Sequence, residues 1–171
     1  MDVADLLVEA LGRVGPVLHG TVDGLPPEAL TYRPDPGANS IAWLVWHAAR
    51  GQDAQIAHVA GVEQVWTARG WAERFGLPFT ARATGYGQSP DDVAAVDVPG
   101  DLLLGYYDEV AAQTVAYLER LQPEDLDQVV DESWDPPVTL GVRLVSIVDD
   151  DVQHAGQAAY VRGLWERRTG T

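Results

Sequence analysis

Three acidic residues and a histidine occupy one short stretch of the sequence, VDDDVQHAGQAAYVRGL (148–164). Asp150 lies four residues before His154 and Asp151 lies three before it, so on a helix either carboxylate can lie beside the imidazole. A carboxylate and an imidazole one turn apart can bind a single divalent cation, whereas Asp149 would point away from that face. The spacing alone does not choose between Asp150 and Asp151.

A second stretch, SIAWLVWHAARGQD (40–53), supplies another histidine. His47 shares a helical face with small and apolar residues, which is typical of a helix that packs against another helix. If the two helices are neighbours, His47 can join Asp150 and His154. Two imidazoles and one carboxylate leave coordination positions open, as in catalytic rather than structural metal sites. The same ligands suit zinc, nickel or iron(II).

Simpler explanations of these polar residues also exist. The three acids could form a solvated patch paired with Arg50 or Arg143, and His154 could be a core histidine that forms hydrogen bonds without a metal. His58 lies on the same helical face as His47 but about 16 Å further along the axis, so the two cannot bind the same ion. His58 is expected to be a polar residue packed against its neighbours. His19 is expected near the C-terminus of the first helix, where the helix dipole favours it.

Four long helices are predicted to position these groups, because apolar residues recur at helical spacing along four segments. They run from Val3 to Leu18, from Asn39 or Ser40 to about Gly61, from about Asp101 to Leu121, and from the cap Thr139 to about Trp165. No segment alternates clearly with the period of a strand. The expected fold is therefore all-α, an up-down four-helix bundle formed by one domain over residues 1–171.

A long connection, residues 62–99, separates the second and third helices. It is too rich in aromatic residues for a disordered linker, and it is expected to fold over one end of the bundle. Its aromatic residues are Trp66, Trp71, Phe75, Phe79 and Tyr86. Ser89 and Pro90 predict the start of a short helix within it.

Composition limits the classes of function. The chain of 171 residues carries a net charge of −15 and has no cysteine. The negative charge argues against nucleic acid or an anionic membrane as a partner. Any sulfur chemistry would need a thiol from another molecule. The sequence has neither a run of ~20 apolar residues nor the features of a signal peptide, so a cytoplasmic protein is expected.

Both helical stretches resemble the metal-bearing helices of the DinB-like superfamily. TYRPDPGANSIAWLVWH, GWAERFGLPF and ATGYG resemble its actinobacterial branch of mycothiol-dependent transferases and maleylpyruvate isomerases. The resemblance implies a metal-binding four-helix bundle with His47, Asp150 and His154 as ligands. Many members have histidine where this chain has Asp150, although the maleylpyruvate isomerases have a carboxylate there. Those isomerases carry an additional C-terminal domain with no counterpart in this sequence, so their activity is not expected.

The function implied by the resemblance is thiol transfer. A divalent metal, with zinc favoured over nickel or iron, would hold the sulfur of mycothiol or a similar thiol as a thiolate that attacks a small electrophile. Gln157 is a candidate for binding the cofactor, Arg162 and Tyr160 are weaker candidates, and no residue is assigned as catalytic. The family also makes a homodimer plausible.

Two other functions fit the same residues. A metal-dependent hydrolase would hold a hydroxide at the open position and use Asp151 or Asp53 as an acid-base group. A non-catalytic stress-response protein would bind the metal without turnover. A requirement for added thiol separates the transferase from the hydrolase, and any turnover at all excludes the non-catalytic protein.

Overall fold

The computed structural model describes residues 1–170, and nearly all of its regular structure is helical. Thr171, the last residue of the domain expected over 1–171, lies outside the described residues. The helices are α1 (Val3–Gly12), α2 (Val14–Val22), α3 (Pro27–Leu30), α4 (Ile41–Ala60), α5 (Val65–Ala68), α6 (Trp71–Phe75), α7 (Pro90–Ala94), α8 (Gly100–Leu118) and α9 (Leu140–Thr169). A 3-10 helix (Pro123–Asp127) and two strands, β1 (Val129–Asp131) and β2 (Val138–Thr139), lie between α8 and α9.

The two helices that carry the candidate ligands begin at the predicted caps. The Ser40 side chain accepts a hydrogen bond from the backbone of Trp43, and the Thr139 side chain accepts one from Val142. Each bond satisfies a backbone N–H that has no partner within the first turn. Helix α9 continues about one turn beyond the predicted end, to Thr169.

The predicted single helix over residues 3–18 was wrong, because it is broken at Arg13 into α1 and α2. Pro16 has no N–H to donate to the carbonyl of Gly12, so the regular hydrogen-bond ladder is interrupted at this point. The second part continues to Val22, beyond the predicted end.

The long helices pack closely around a shared core. Helix α4 contacts both α8 and α9, and α2 contacts the same two helices. The largest fully buried side chains include Trp46, Tyr106 and Ile147, which come from α4, α8 and α9 respectively. The contact between α4 and α9 is the one that matters for the site, since these helices carry the candidate ligands. Among residues 1–170, no helix is both long and apolar enough to cross a membrane.

The long connection is ordered and aromatic, as predicted. Trp66 and Phe75 lie 5.0 and 5.8 Å, centroid to centroid, from the Tyr106 ring of α8, so α5 and α6 add to the core. Helix α7 begins at Ser89 with a reciprocal capping box, as the sequence indicated. Tyr86 is the exception, because it is 95% exposed.

A short antiparallel hairpin was not predicted. Strand β1 pairs with β2 through Val129 opposite Thr139 and Asp131 opposite Val138, with an irregular register between them. The strands have three and two residues, too few for an alternating pattern to be recognised in the sequence.

Candidate metal centre

The structure brings His47, Asp150 and His154 together. One ligand atom from each side chain lies within 4.8 Å of the others. The His154 Nε2 is 3.3 Å from the Asp150 Oδ1, and the two imidazole centroids are 4.6 Å apart. This arrangement follows from the packing of α4 on α9 and from the four-residue spacing on α9.

The cluster lies at the edge of the core and is open to solvent. The Asp150 side chain is 39% exposed and the His154 side chain is 15% exposed. A small residue on α4 leaves room for the carboxylate, since a Cβ at Gly51 would be 3.4 Å from the Asp150 Oδ2. A small molecule can therefore approach the three side chains without opening the core.

Each histidine has a second hydrogen-bond partner behind it. The Nδ1 of His47 lies 2.5 Å from the backbone oxygen of Thr84, and the Nδ1 of His154 lies 3.0 Å from the Oε1 of Gln157. The Thr84 oxygen can only accept, so the Nδ1 of neutral His47 carries the proton and its Nε2 keeps the lone pair. His154 also bonds Asp150 through its Nε2, so that lone pair becomes available to a metal when His154 loses a proton. Metal-binding histidines have this arrangement, in which an outer acceptor fixes the tautomer.

The pKa values of the three groups are shifted in ways that follow from their contacts. Burial lowers the pKa of His47 despite its bond to Thr84. Burial also opposes protonation of His154, but its hydrogen bonds to Asp150 and Gln157 raise its pKa above the ordinary value. The hydrogen bond from His154 lowers the pKa of Asp150. At neutral pH, Asp150 is therefore an anion, and His47 is uncharged with a lone pair on its Nε2.

Asp151, the other candidate carboxylate, points into the core. It is 1% exposed, and neither of its oxygens has a hydrogen-bond partner within the described chain. Burial, and then the charge of Asp150, raise its pKa well above the ordinary value. Asp149 lies on the exposed side, where it accepts a hydrogen bond from Gln153. Asp150 is thus the acid beside His154.

The acids are not paired with the arginines that a solvated patch would use. Arg50 lies 3.4 Å from Asp53, and Arg143 lies 2.9 Å from Asp131. Neither arginine has an ion pair with residues 149–151 in the described part of the chain. The patch is therefore a poorer explanation than the cluster with His47.

Comparison with known proteins identifies the family. Residues 6–166 match the sequence model of a family described as mycothiol-S-transferase. The chain belongs to this family. Among solved structures, this mycothiol-S-transferase family member is similar to the "crystal structure of the conserved protein of locus from Enterococcus faecalis". The two sequences are 36% identical, the match covers 95% of this chain and 96% of that chain, and the TM-score is 0.89. A search of curated proteins finds no match.

The two predicted cofactor-binding residues have different positions in this mycothiol-S-transferase family member. Gln157 lies next to the cluster through its contact with His154. Arg162 instead donates to Glu166 and to backbone oxygens at the C-terminal end of α2. Those oxygens belong to Gly20, Thr21 and Asp23. Its contacts join α9 to α2 and do not involve the cluster.

The remaining histidines lie away from the cluster. His19 pairs with Asp108 at 2.8 Å, near the C-terminal end of α2 as expected. His58 is exposed on α4, so the expectation of polar packing was wrong. Both are useful as controls, because each is a histidine of the same fold outside the candidate site.

Sequence reasoning missed three neighbours of His47. Trp43 is buried, and it stacks on His47 with centroids 4.6 Å apart and an interplanar angle of 22°. Thr84 supplies the acceptor described above, and Gly85 packs directly against the imidazole. The glycines of ATGYG were the available signal, because glycine often marks a close backbone approach.

Proposed function

We propose that the protein is a metal-dependent S-transferase that joins a low-molecular-weight thiol, mycothiol or a similar molecule, to a small electrophile. The observation that carries this proposal is the cluster of His47, Asp150 and His154, with outer acceptors on both histidines. Membership of the mycothiol-S-transferase family supports the thiol and the reaction class. The packing of the long helices supports a DinB-like four-helix bundle formed by a single domain.

The donor set fits a divalent transition metal. His47 and His154 would each bind through Nε2, and Asp150 would add one negative charge that offsets part of the charge of the cation. Three protein ligands leave positions open for a thiol. Zinc is favoured over nickel or iron, which the same ligands could also hold.

A bound divalent cation supplies a Lewis acid that stabilises the thiolate form of a thiol at neutral pH. The chain has no cysteine, so the sulfur must come from a second molecule. In a substitution, a bond forms between sulfur and the electrophilic carbon, the leaving group departs with its electron pair, and the thiol proton passes to solvent. The exposed edge of Asp150 and His154 allows both molecules to reach the cluster.

The hydrolase alternative loses both acid-base groups suggested for it. Asp53 is 1% exposed, and its oxygens accept bonds from two backbone N–H groups, a phenol and a guanidinium. Asp151 is equally buried on α9. Neither carboxylate can exchange protons with a water molecule at the exposed side of the cluster without a change in structure.

The experiment begins with metal content. Protein prepared without a metal-binding tag is analysed by mass spectrometry for wild type and for His47→Ala, Asp150→Ala and His154→Ala, with the exposed His58→Ala and Asp149→Ala as controls on the same helices. We expect about one metal per chain in wild type and both controls, and loss of the metal in the other three variants. Failure of wild type to bind metal after soaking with zinc, nickel or iron(II) contradicts the proposal.

Activity then separates the candidate functions. Metal-loaded protein is incubated with a chromogenic electrophile and with mycothiol, cysteine or glutathione in turn. We expect S-conjugates that depend on both metal and thiol. Turnover of the small molecule without added thiol would indicate the hydrolase, and metal binding without turnover on a broad electrophile panel would indicate the non-catalytic protein.

A further inference from the structure

Residues 81–88, here called the strap, lie across one face of α4. Three side chains of that face bind it at successive points, because positions 43, 47 and 50 are one turn apart. Trp43 Nε1 donates to the Gln88 Oε1 at 2.7 Å, and His47 Nδ1 donates to the Thr84 oxygen at 2.5 Å. Arg50 donates to the backbone oxygens of Ala83 at 3.1 Å and Ala81 at 3.4 Å.

We propose that Arg50 and Gly85 are positioning residues of the candidate metal centre. Arg50 holds the strap on α4, and Gly85 lets it approach closely enough for the Thr84 carbonyl to fix His47 with its proton on Nδ1. The role of His47 as a ligand rests on the function proposed above, whereas the hydrogen-bond geometry does not.

The tautomer decides whether His47 is ready to bind. A neutral imidazole has a single N–H, and a backbone oxygen can only accept, so the bond to Thr84 requires the proton on Nδ1. The lone pair is then on Nε2, the atom left for a metal. If the strap moved away, the proton could lie on Nε2 instead, and the lone pair on Nδ1 would not be available in the same direction.

Arg50 is a rigid anchor for the strap because its guanidinium is fixed on its other side by the core. It is fully buried, with 0% of its side chain exposed. Besides the strap, it donates to the Gln64 Oε1 at 2.9 Å and to the Tyr106 hydroxyl at 3.1 Å, and it pairs with Asp53. Bonds from a charged, buried donor are stronger than neutral ones, so the strap carbonyls are held firmly.

Gly85 is required by both backbone conformation and space. Its φ of +102° lies in the region that favours glycine. A Cβ at this position would overlap the Nδ1 of His47 and lie 3.0 Å from both the His47 Cγ and the Trp43 Cζ2. Any side chain would therefore push the strap away from His47, or push the imidazole out of its present position.

Gly87 provides a matched control on the same strap. Its φ of +71° is also positive, at the edge of the left-handed region, but outside the two neighbouring residues a Cβ would meet no described atom within 4 Å. The pair Gly85→Ala and Gly87→Ala therefore compares a side chain that would contact His47 with one that would not, both at positive φ on the same strap. Tyr86→Ala is a second control, since this residue is 95% exposed between the two glycines.

The test reads the tautomer of His47 in metal-free protein by long-range proton–nitrogen correlation, with the signal assigned by its absence in His47→Ala. We expect wild type, Gly87→Ala and Tyr86→Ala to have the proton on Nδ1, and Gly85→Ala to lose this preference. Zinc affinity, measured by chelator competition, should fall about 10–100-fold in Gly85→Ala alone. The same tautomer in Gly85→Ala and Gly87→Ala would overturn the proposal for Gly85.

Arg50 is tested by Arg50→Lys, which keeps the charge but cannot bond two strap carbonyls and the core together. We expect the His47 tautomer to become mixed, and an unchanged tautomer in folded Arg50→Lys would overturn this part. If Arg50→Lys does not fold, Gln88→Ala is used instead to loosen the other end of the strap. A mixed His47 tautomer in Gln88→Ala then supports this part of the proposal, and an unchanged tautomer overturns it. Lack of metal binding by wild type would refute the proposed function only, because the tautomer of metal-free protein still decides this inference.

Discussion

Replacing Asp53 with asparagine tests whether the buried network beneath the strap stabilises the fold. The Asp53 Oδ1 accepts a hydrogen bond from Val65 N at 2.9 Å, and the Oδ2 accepts bonds from Trp66 N and the Tyr106 hydroxyl, both at 2.8 Å. Arg50 lies 3.4 Å from the same oxygen, and neither side chain of the ion pair is exposed. Asparagine keeps the size of the side chain but replaces one acceptor oxygen with a donor.

The expected loss of stability follows from the groups left behind. Removing one partner of a buried ion pair costs about 3–5 kcal/mol, because the remaining charge is uncompensated. Here Arg50 keeps its bonds to carbonyl and amide oxygens, which reduces the cost. The amide N–H of the new asparagine would also face a backbone N–H, and a buried donor left without an acceptor lowers the free energy of unfolding by about 1–3 kcal/mol. Since these contributions overlap, we expect Asp53→Asn to lower the free energy of unfolding by about 3–4 kcal/mol.

Urea denaturation of metal-free protein at pH 7.5 measures this quantity. Glu9→Gln is the control, because Glu9 pairs with Arg13 at 2.9 Å on the surface, where 55% and 77% of the two side chains are exposed. An exposed pair of this kind contributes about 0.2–1 kcal/mol or less, so the control should remain near wild type. A loss below about 1 kcal/mol in Asp53→Asn would refute the assignment of a stabilising role to the network.

Three further predictions concern the site and its surroundings. Because the pKa of His154 is raised, zinc binding between pH 6.5 and that pKa should release about one proton from His154, and calorimetry in buffers of different ionisation enthalpy checks this; no dependence on buffer would contradict it. Because the pKa of Asp151 is raised, its contribution to the free energy of unfolding of metal-free protein should decline as pH rises above 3.8 through the raised pKa. Urea denaturation should show this decline in wild type and not in Asp151→Asn, and parallel pH profiles for the two proteins would count against it. Gln157→Ala should weaken zinc affinity about tenfold at unchanged thermal stability, whereas Arg162→Ala should lower the melting temperature at unchanged affinity, and the reverse pattern would show that their roles have been misassigned.

Local patterns predicted correctly that Asp150 and His154 lie side by side, because their spacing on one helix fixes their distance. The choice between Asp150 and Asp151 could not be made from that spacing. It depends on the rotation of α9 against its neighbours, which turns Asp151 into the core and leaves Asp150 at the edge. A rotation of this kind is set by packing along the whole helix, so a short motif cannot report it.

Elements that depend on distant contacts were harder to predict. The strap was recognised as part of an ordered connection, but its bond to His47 joins residues 37 positions apart. The break at Arg13 was missed although Pro16 was visible, because the apolar pattern continues through both halves of the broken helix. Periodicity detects which face is buried and does not detect whether the hydrogen bonds beneath it are continuous.

Helix α4 connects these observations into one account of the site. Its face toward the strap carries Trp43, His47 and Arg50, and Gly51 leaves room for the carboxylate of α9. The groups that hold His47 are bonded to protein atoms throughout, so the position of its imidazole does not depend on a cation. A site organised in this way differs from small zinc domains, in which metal binding supplies the folding energy. Hydrogen bonds within the chain therefore position the candidate ligand His47, and a bound metal would add its binding free energy to a structure that is already formed.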